Sequence, residues 1–239
     1  MYWDYYIMGI ILLPAIILAA YAQTKVNTTY TRYSKMIAKS GMTGAEVARL
    51  LLDCADLKHI QVVRVQGELT DYYDPKKQVV ALSNSVYDNQ SVSALGVASH
   101  EVGHAIQDKN GYIPFKIRKA IIPVTNFLSS MLWPLVIFGL IFNFAAIPGS
   151  IIGDVFLWSG VIMFGFAALV DIVTLPVEFN ASKRAINTLY KTEILDPTET
   201  AAAKKVLGAA ALTYVASLLT SLLNLLRFVL VFLMHARND

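Results

Sequence analysis

Four long apolar runs alternate with two polar segments along this chain. The first, Tyr5 to Ala22, is 18 residues without a charge. No charged residue occurs from Ala120 to Gly153, a stretch of 34, and another apolar run follows between Asp154 and Asp171. A helix needs about 20 residues to cross the hydrocarbon core of a bilayer. The long stretch therefore predicts a helical hairpin over residues 121–147 and 151–173, with Pro148-Gly149-Ser150 as its turn. The fourth run, Val206 to Met234, contains one charge, Arg227, whose long side chain can reach an interface. The predicted spans are thus 5–22, 121–147, 151–173 and 209–234. No basic residue precedes the first run, unlike a cleaved leader. Tyr5 and Tyr6 at its edge suit an interface.

The polar segments, 23–120 and 174–208, carry different patterns. Val47, Leu50, Leu51 and Cys54 recur at helical spacing, and Thr43 with Glu46 three residues on forms a capping-box pattern. Periodicity then shortens: Gln61 to Leu69 is rich in Val and predicts a strand, and so does Gln78 to Leu82. Asp71 to Pro75 between them predicts a turn. A further helix is expected from about Ser91 to Asp108. The segment 23–120 therefore reads as a small α+β unit, and 174–208 as a helix.

Composition agrees with this division. Of 239 residues 56% are hydrophobic and 15% charged, and mean hydropathy is +0.52. Disordered, fibrous and disulfide-framework chains are excluded, the last because Cys54 is the lone cysteine. A net charge of +3 is too small to argue for nucleic acid. Placement of charge says more. Residues 23–120 hold 13 of the 20 Lys and Arg and residues 174–208 hold 5. Four crossings put those two segments on one side, which the positive-inside rule makes cytoplasmic.

Chemistry enters at His100-Glu101-Val102-Gly103-His104. On a helix, residues four apart share a face with Cβ atoms about 6 Å apart. Two imidazoles so spaced can reach one zinc at about 2.0–2.1 Å. Glu101 lies one position round, where a general base would take a proton from a metal-activated water. His59 and His235 lack such a setting and read as surface and interfacial residues. A catalytic zinc needs a third protein ligand and an open position. A third histidine six residues after the second is excluded, because Asn110 stands there. Asp154, Asp171, Glu178, Glu193, Asp196 and Glu199 remain as candidates. Topology favours Glu178, which follows the return of the apolar hairpin, with Pro176 suited to the first turn of a new helix. Asp171, seven residues earlier, is a candidate for supporting the site or pairing with Lys183 or Arg184.

Several longer stretches resemble the YugP-type neutral zinc metallopeptidases of bacterial membranes. They are Gly41-Met42-Thr43-Gly44-Ala45-Glu46-Val47-Ala48, Leu69-Thr70-Asp71-Tyr72-Tyr73-Asp74-Pro75, Ala94 through Ala105 around the histidine motif, and Leu175-Pro176-Val177-Glu178-Phe179-Asn180-Ala181-Ser182. The site pattern is also similar to that of the HtpX and CAAX prenyl protease group, whose E-x-x-A-D sequence supplies the third ligand. That resemblance implies His100, His104 and Glu178 as ligands of one zinc per chain, with Ala181 matching the alanine. Ser182 stands in place of the final aspartate, which implies that orientation of a ligand histidine comes from elsewhere.

The expectation is a mainly α integral membrane protein with about four transmembrane helices and a small α+β zincin-like cytoplasmic domain. It would sit in a bacterial inner membrane, hydrolyse peptide bonds of membrane or membrane-associated proteins with Glu101 as general base, and touch lipid but no nucleic acid. Tyr72, Tyr73, Tyr87, Arg184 and Ser182 are candidates to stabilise the oxyanion or support the site. The strand Gln78, Val79, Val80, Ala81, Leu82, Ser83 is expected, by analogy with other zinc proteases, to pair with an extended substrate. The rivals are an inactive zinc-binding scaffold and a zinc transporter; the transporter would want ligands within its apolar spans.

Overall fold

The computed structural model describes residues 9–141 and 151–236. Residues 5–8 of the first expected span, and 142–150 with the end of the second span and its turn, lie outside the described residues. In chain order the elements are α1 (Leu13–Tyr33), α2 (Gly44–Cys54), β1 (Gln61–Val65), β2 (Tyr72–Asp74), β3 (Val79–Ser83), α3 (Asn84–Tyr87), α4 (Val92–Lys109), α5 (Ile113–Leu140), α6 (Ile151–Lys191) and α7 (Pro197–Ala236). Among the described residues the protein is mainly helical with one small sheet. Its chain divides into two compact units. One gathers Tyr21–Lys116 and Pro176–Thr213; the other takes in 1–20, 117–175 and 214–239 as far as they are described.

The first unit holds the chemistry. Its helix α2 begins as the capping box demands: the Thr43 hydroxyl accepts from the Glu46 N–H, and the Glu46 carboxylate accepts from the Thr43 N–H at 2.8 Å. The apolar face of α2 (Val47, Ala48, Leu51, Leu52) packs on α4 (Leu95, Ala98, Val102), with Val80 and Leu82 of β3 in the same core. All nine are at most 1% exposed. Fully burying a leucine-sized side chain stabilises by roughly 1.5–3 kcal/mol, so this layer fixes where α4 lies.

The sheet order is β1-β3-β2, with β1 parallel and β2 antiparallel to β3. Residues 71–75, expected as a turn, contain the strand β2. The turn lies one step later, where Asp74 Oδ1 accepts from the N–H groups of Lys76 and Lys77. The two tyrosines favour a strand, while the flanking aspartates and proline gave the stretch its turn signature. β1 is shorter than the Val-rich stretch because Gly67 and Leu69 have positive φ. Asp71 anchors the far end of β3, accepting from the Ser83 N–H at 2.7 Å and from its hydroxyl. Burial nonetheless pushes the Asp71 carboxyl above its ordinary range, outweighing those bonds.

Helix boundaries depart from the expected ones in four places. α1 runs on past Ala22 to Tyr33. α5 starts at Ile113, before the apolar stretch. α6 is continuous from Ile151 to Lys191, so Pro176 is an interior residue and opens no new helix. Interior proline removes one backbone bond at about 3 kcal/mol, a cost a 41-residue helix absorbs; the division between the two units falls here. The segment 174–208 is therefore the end of α6, a turn through Glu193, whose φ is 54°, and the start of α7. Among the described residues two helical stretches are long and apolar enough to cross a membrane, Trp158–Lys191 and Pro197–Leu230.

Candidate metal centre

Helix α4 is capped by Ser91, whose hydroxyl accepts from the Ala94 N–H, and carries His100, Glu101 and His104 into the interior. Glu101 and His104 are almost fully buried and Glu178 is 1% exposed. Glu178 comes from α6, so two helices must approach closely. The Cβ that Gly103 lacks would lie 2.7 Å from the Ala181 carbonyl oxygen, and no other residue type permits that spacing.

The ligand-type atoms of His100, His104 and Glu178 all lie within 4.8 Å of one another, the one such cluster of three among the described residues. Glu178 Oε2 is 3.1 Å from His100 Nε2 and 3.5 Å from His104 Nε2. The two rings are nearly perpendicular, with centroids 4.7 Å apart. Burying this carboxylate alone would be expensive; a cation held between it and the two imidazoles would supply the compensation.

The other nitrogen of each ring is also engaged. His104 Nδ1 is 3.0 Å from Gln107 Oε1. The Gln107 amide nitrogen donates to the Val177 carbonyl at 2.8 Å and to Asn180 Oδ1 at 3.1 Å. Asn180 Oδ1 in turn accepts from Arg184 Nε. A backbone carbonyl only accepts, so the Gln107 amide must turn its NH₂ to Val177 and its oxygen to His104. His104 therefore carries its proton on Nδ1 and presents the Nε2 lone pair to the cluster. His100 Nδ1 lies 3.1 Å from Ser182 Oγ. Orientation of His100 thus comes from Ser182 itself, the residue standing where the resembling group has aspartate, and no substitute from elsewhere is needed.

The remaining expected residues sort clearly. The Tyr73 hydroxyl donates to Asp108 at 3.1 Å; burial first, then the Asp108 charge, pushes its pKa well above the ordinary value and keeps it protonated. Its ring meets Phe115, which stacks on His104 at 6.0 Å. Tyr72 is exposed on β2. Tyr87 lies under the Arg64 guanidinium at 4.6 Å. Arg184 holds Asn180 and lies 6.0 Å from the Tyr112 ring. Asp171 belongs to the second unit and accepts from Ser217 and Ser221 of that same unit, in place of a pairing with Lys183 or Arg184. Asp196 and Glu199 cap α7 reciprocally, and Asp196 pairs with Lys39. His59 is exposed. The Asp154 and His235 side chains lie outside the described residues.

The expected substrate strand is corrected by the sheet. β3 is the central strand: Val79, Val80 and Ala81 pair with β1 on one side and β2 on the other, and Ser83 N–H is taken by Asp71. It has no free edge over those residues. Gln78 precedes the strand with a positive φ. The strand with an open outer edge beside α4 is β2.

The family model described as "Putative neutral zinc metallopeptidase" matches residues 8–233. The chain belongs to this family. The "Putative membrane protease YugP" of Bacillus subtilis (strain 168) is 45% identical over 222 residues, which cover 92% of this chain and 94% of that protein. No solved structure matches. As a neutral zinc metallopeptidase the chain takes zinc as its cofactor. Its geometry fits that ion: two imidazole nitrogens and one carboxylate are the donors zinc accepts, and three protein ligands leave the open position that catalytic sites keep. Gln107 and Asn180 are site residues that the sequence motifs do not single out. The signal available was a glutamine three residues after His104, on the same helix face.

Proposed function

We propose that this neutral zinc metallopeptidase is a membrane-embedded endopeptidase with His100, His104 and Glu178 as zinc ligands and Glu101 as general base. The observation that carries the reading is the buried cluster of two oriented imidazoles and one carboxylate with Glu101 on the adjoining turn position. Bound there, zinc would supply a Lewis acid for the scissile carbonyl. Glu101 would take a proton from the attacking water as its oxygen bonds to the carbonyl carbon. It would return that proton to the amine nitrogen as the C–N bond breaks. Gln107 would hold His104 in the ligating tautomer, and Ser182 would orient the His100 ring. An extended polypeptide is best accommodated along the outer edge of β2, which packs against α4.

Membrane embedding is supported by the two long apolar helical stretches and by apolar side chains turned outward. Ile16 and Ile17 of α1, Ile162 and Leu169 of α6 and Leu226 of α7 are each 46–67% exposed. Large apolar side chains exposed on three helices fit a surface covered by something other than water. The relative's name carries the same reading. Four crossings would place the basic segments, and with them the site, on the cytoplasmic side.

The test is Glu101→Gln in the full chain, assayed for zinc by atomic spectroscopy and for cleavage of an unfolded casein-type protein. Gln is nearly isosteric but cannot accept the proton. General-base catalysis is worth roughly 10²–10⁴-fold, so activity should fall to about 1% or less with zinc retained. Equal cleavage at equal zinc would overturn the mechanism. Absence of cleavage by the parent at full zinc on any unfolded protein would favour the scaffold.

A further inference from the structure

A groove of about 560 Å³ lies between α1 and the start of α7. Lys25, Thr29 and Arg32 line it from α1; Lys205, Gly208 and Leu212 line it from α7. Lys25 to Arg32 and Lys205 to Leu212 are each seven residues apart, two turns on one face, so each helix offers a continuous wall. The charge is one-sided. No carboxylate occurs between Asp4 and Glu46, nor between Glu199 and Asp239, so neither wall carries an acid to neutralise the three cations. Lys25, Arg32 and Lys205 are all exposed. Gly208 opens the floor: a Cβ built there meets nothing within 4 Å.

Both helices change character at this place. Residues 5–22, before Lys25, are uncharged, and residues 206–226, after Lys205, are uncharged as well. Three cations thus converge where two helices pass from apolar to polar sequence, with Leu212 on the apolar side of the groove. We infer that this groove binds the phosphate of an anionic phospholipid headgroup. Arg32 suits bidentate contact with phosphate oxygens, and Lys25 and Lys205 add point charge. Basic pockets between helices at a membrane surface have this chemistry, each cation contributing on the order of fivefold in affinity. The inference rests on the membrane reading above and assigns these residues no part in the metal site.

The test uses the full chain reconstituted in phosphatidylcholine nanodiscs, with retained lipid counted by native mass spectrometry as phosphatidylglycerol is added. The variants are the triple Lys25→Gln, Arg32→Gln, Lys205→Gln and the single Gly208→Leu. The second keeps every charge and fills the groove, and leucine is the better helix former, so loss of binding there cannot come from a weakened helix. A triple Gln variant at Lys58, Lys76 and Lys77 is the charge control. Phosphatidylglycerol should be retained in preference to phosphatidylcholine, about 100-fold more weakly by the groove triple, also weakly by Gly208→Leu, and normally by the control, with zinc content unchanged throughout. Equal retention by parent and both groove variants overturns the site. Inorganic phosphate binding as tightly as phosphatidylglycerol overturns the lipid assignment in favour of free phosphate. Failure of the parent to enter phosphatidylcholine nanodiscs removes the membrane reading and this inference with it; entry without lipid preference removes this inference alone.

Discussion

Gly103 of the histidine motif and Ala181 of α6 touch backbone to backbone, at a separation that leaves 2.7 Å between an added Cβ and the Ala181 oxygen. One position of the motif thus sets how close the helix bearing two histidines comes to the helix bearing Glu178. Gly103→Ala would gain up to about 1 kcal/mol in helix propensity. It meets a backbone atom that cannot rotate away, and overpacking of this kind costs about 1–3 kcal/mol. The clash wins. Thermal unfolding should move down and zinc per chain should fall, while Gly96→Ala, whose Cβ would find Ala203 at an ordinary 3.5 Å, should leave zinc unchanged.

Ligand assignment is checked by zinc stoichiometry. His100→Ala, His104→Ala and Glu178→Ala should each lose most bound zinc, whereas Glu193→Ala and Glu199→Ala should keep it. Glu199→Ala removes acceptors for the N–H groups of Lys39 and Asp196 and should lower stability by about 1–2 kcal/mol without touching the metal. Full zinc in Glu178→Ala would break the proposed site.

Gln107→Leu should weaken zinc binding about 10–100-fold, the usual effect of losing a partner of a ligating histidine. It also removes the donor to the Val177 carbonyl and to Asn180 Oδ1. Ser182→Ala should do less, because Ser182 is only half-buried and water can replace its hydroxyl. Ser182→Asp should bind zinc at least as tightly as the parent. Competition with a zinc chelator ranks all three, and Ser182→Ala weaker than Gln107→Leu would reverse the expectation.

Asp71 gives a pH prediction. Its carboxyl is raised in the folded chain, chiefly by burial. A raised acid favours folding while protonated, below its unfolded value, and that contribution is lost as pH rises through the folded value. Asp71→Asn removes the titration and keeps an oxygen for the Ser83 N–H. The difference in unfolding midpoint, variant minus parent, should therefore grow from pH 3 to pH 7; a flat difference would remove burial as the dominant cause.

For topology, cysteines placed at Lys76 and Thr192 should be protected from an impermeant label added outside intact cells, and one at Ser150 should react. Cys54 is exposed and must first be replaced. Labelling at Lys76 with protection at Ser150 would invert the orientation.

The site was legible because its signals are local. Helical spacing put His100 and His104 on one face, and Thr43 with Glu46 announced α2. What escaped the sequence depends on contacts between distant segments. The rank of β3 within the sheet follows from parallel pairing with β1 across 18 residues, as in Gln61 with Val79, which no alternation of residues reveals. Pro176 suggested a helix start because the local rule is sound; continuity of α6 overrides it. The partners of Asp171, 46 and 50 residues away, were likewise out of reach.

The chain of contacts from the Val177 carbonyl through Gln107 to His104 has a bearing on when the enzyme can first act. A newly made chain in which α4 has not yet met Val177 to Asn180 lacks the Glu178 donor and leaves His104 free to hold its proton on either nitrogen. Docking of the two helices supplies the third donor and selects the tautomer in one event. On the proposed ligand set, unassembled chains are latent, and a hydrolase that would endanger its neighbours during synthesis is silent until its own folding is complete.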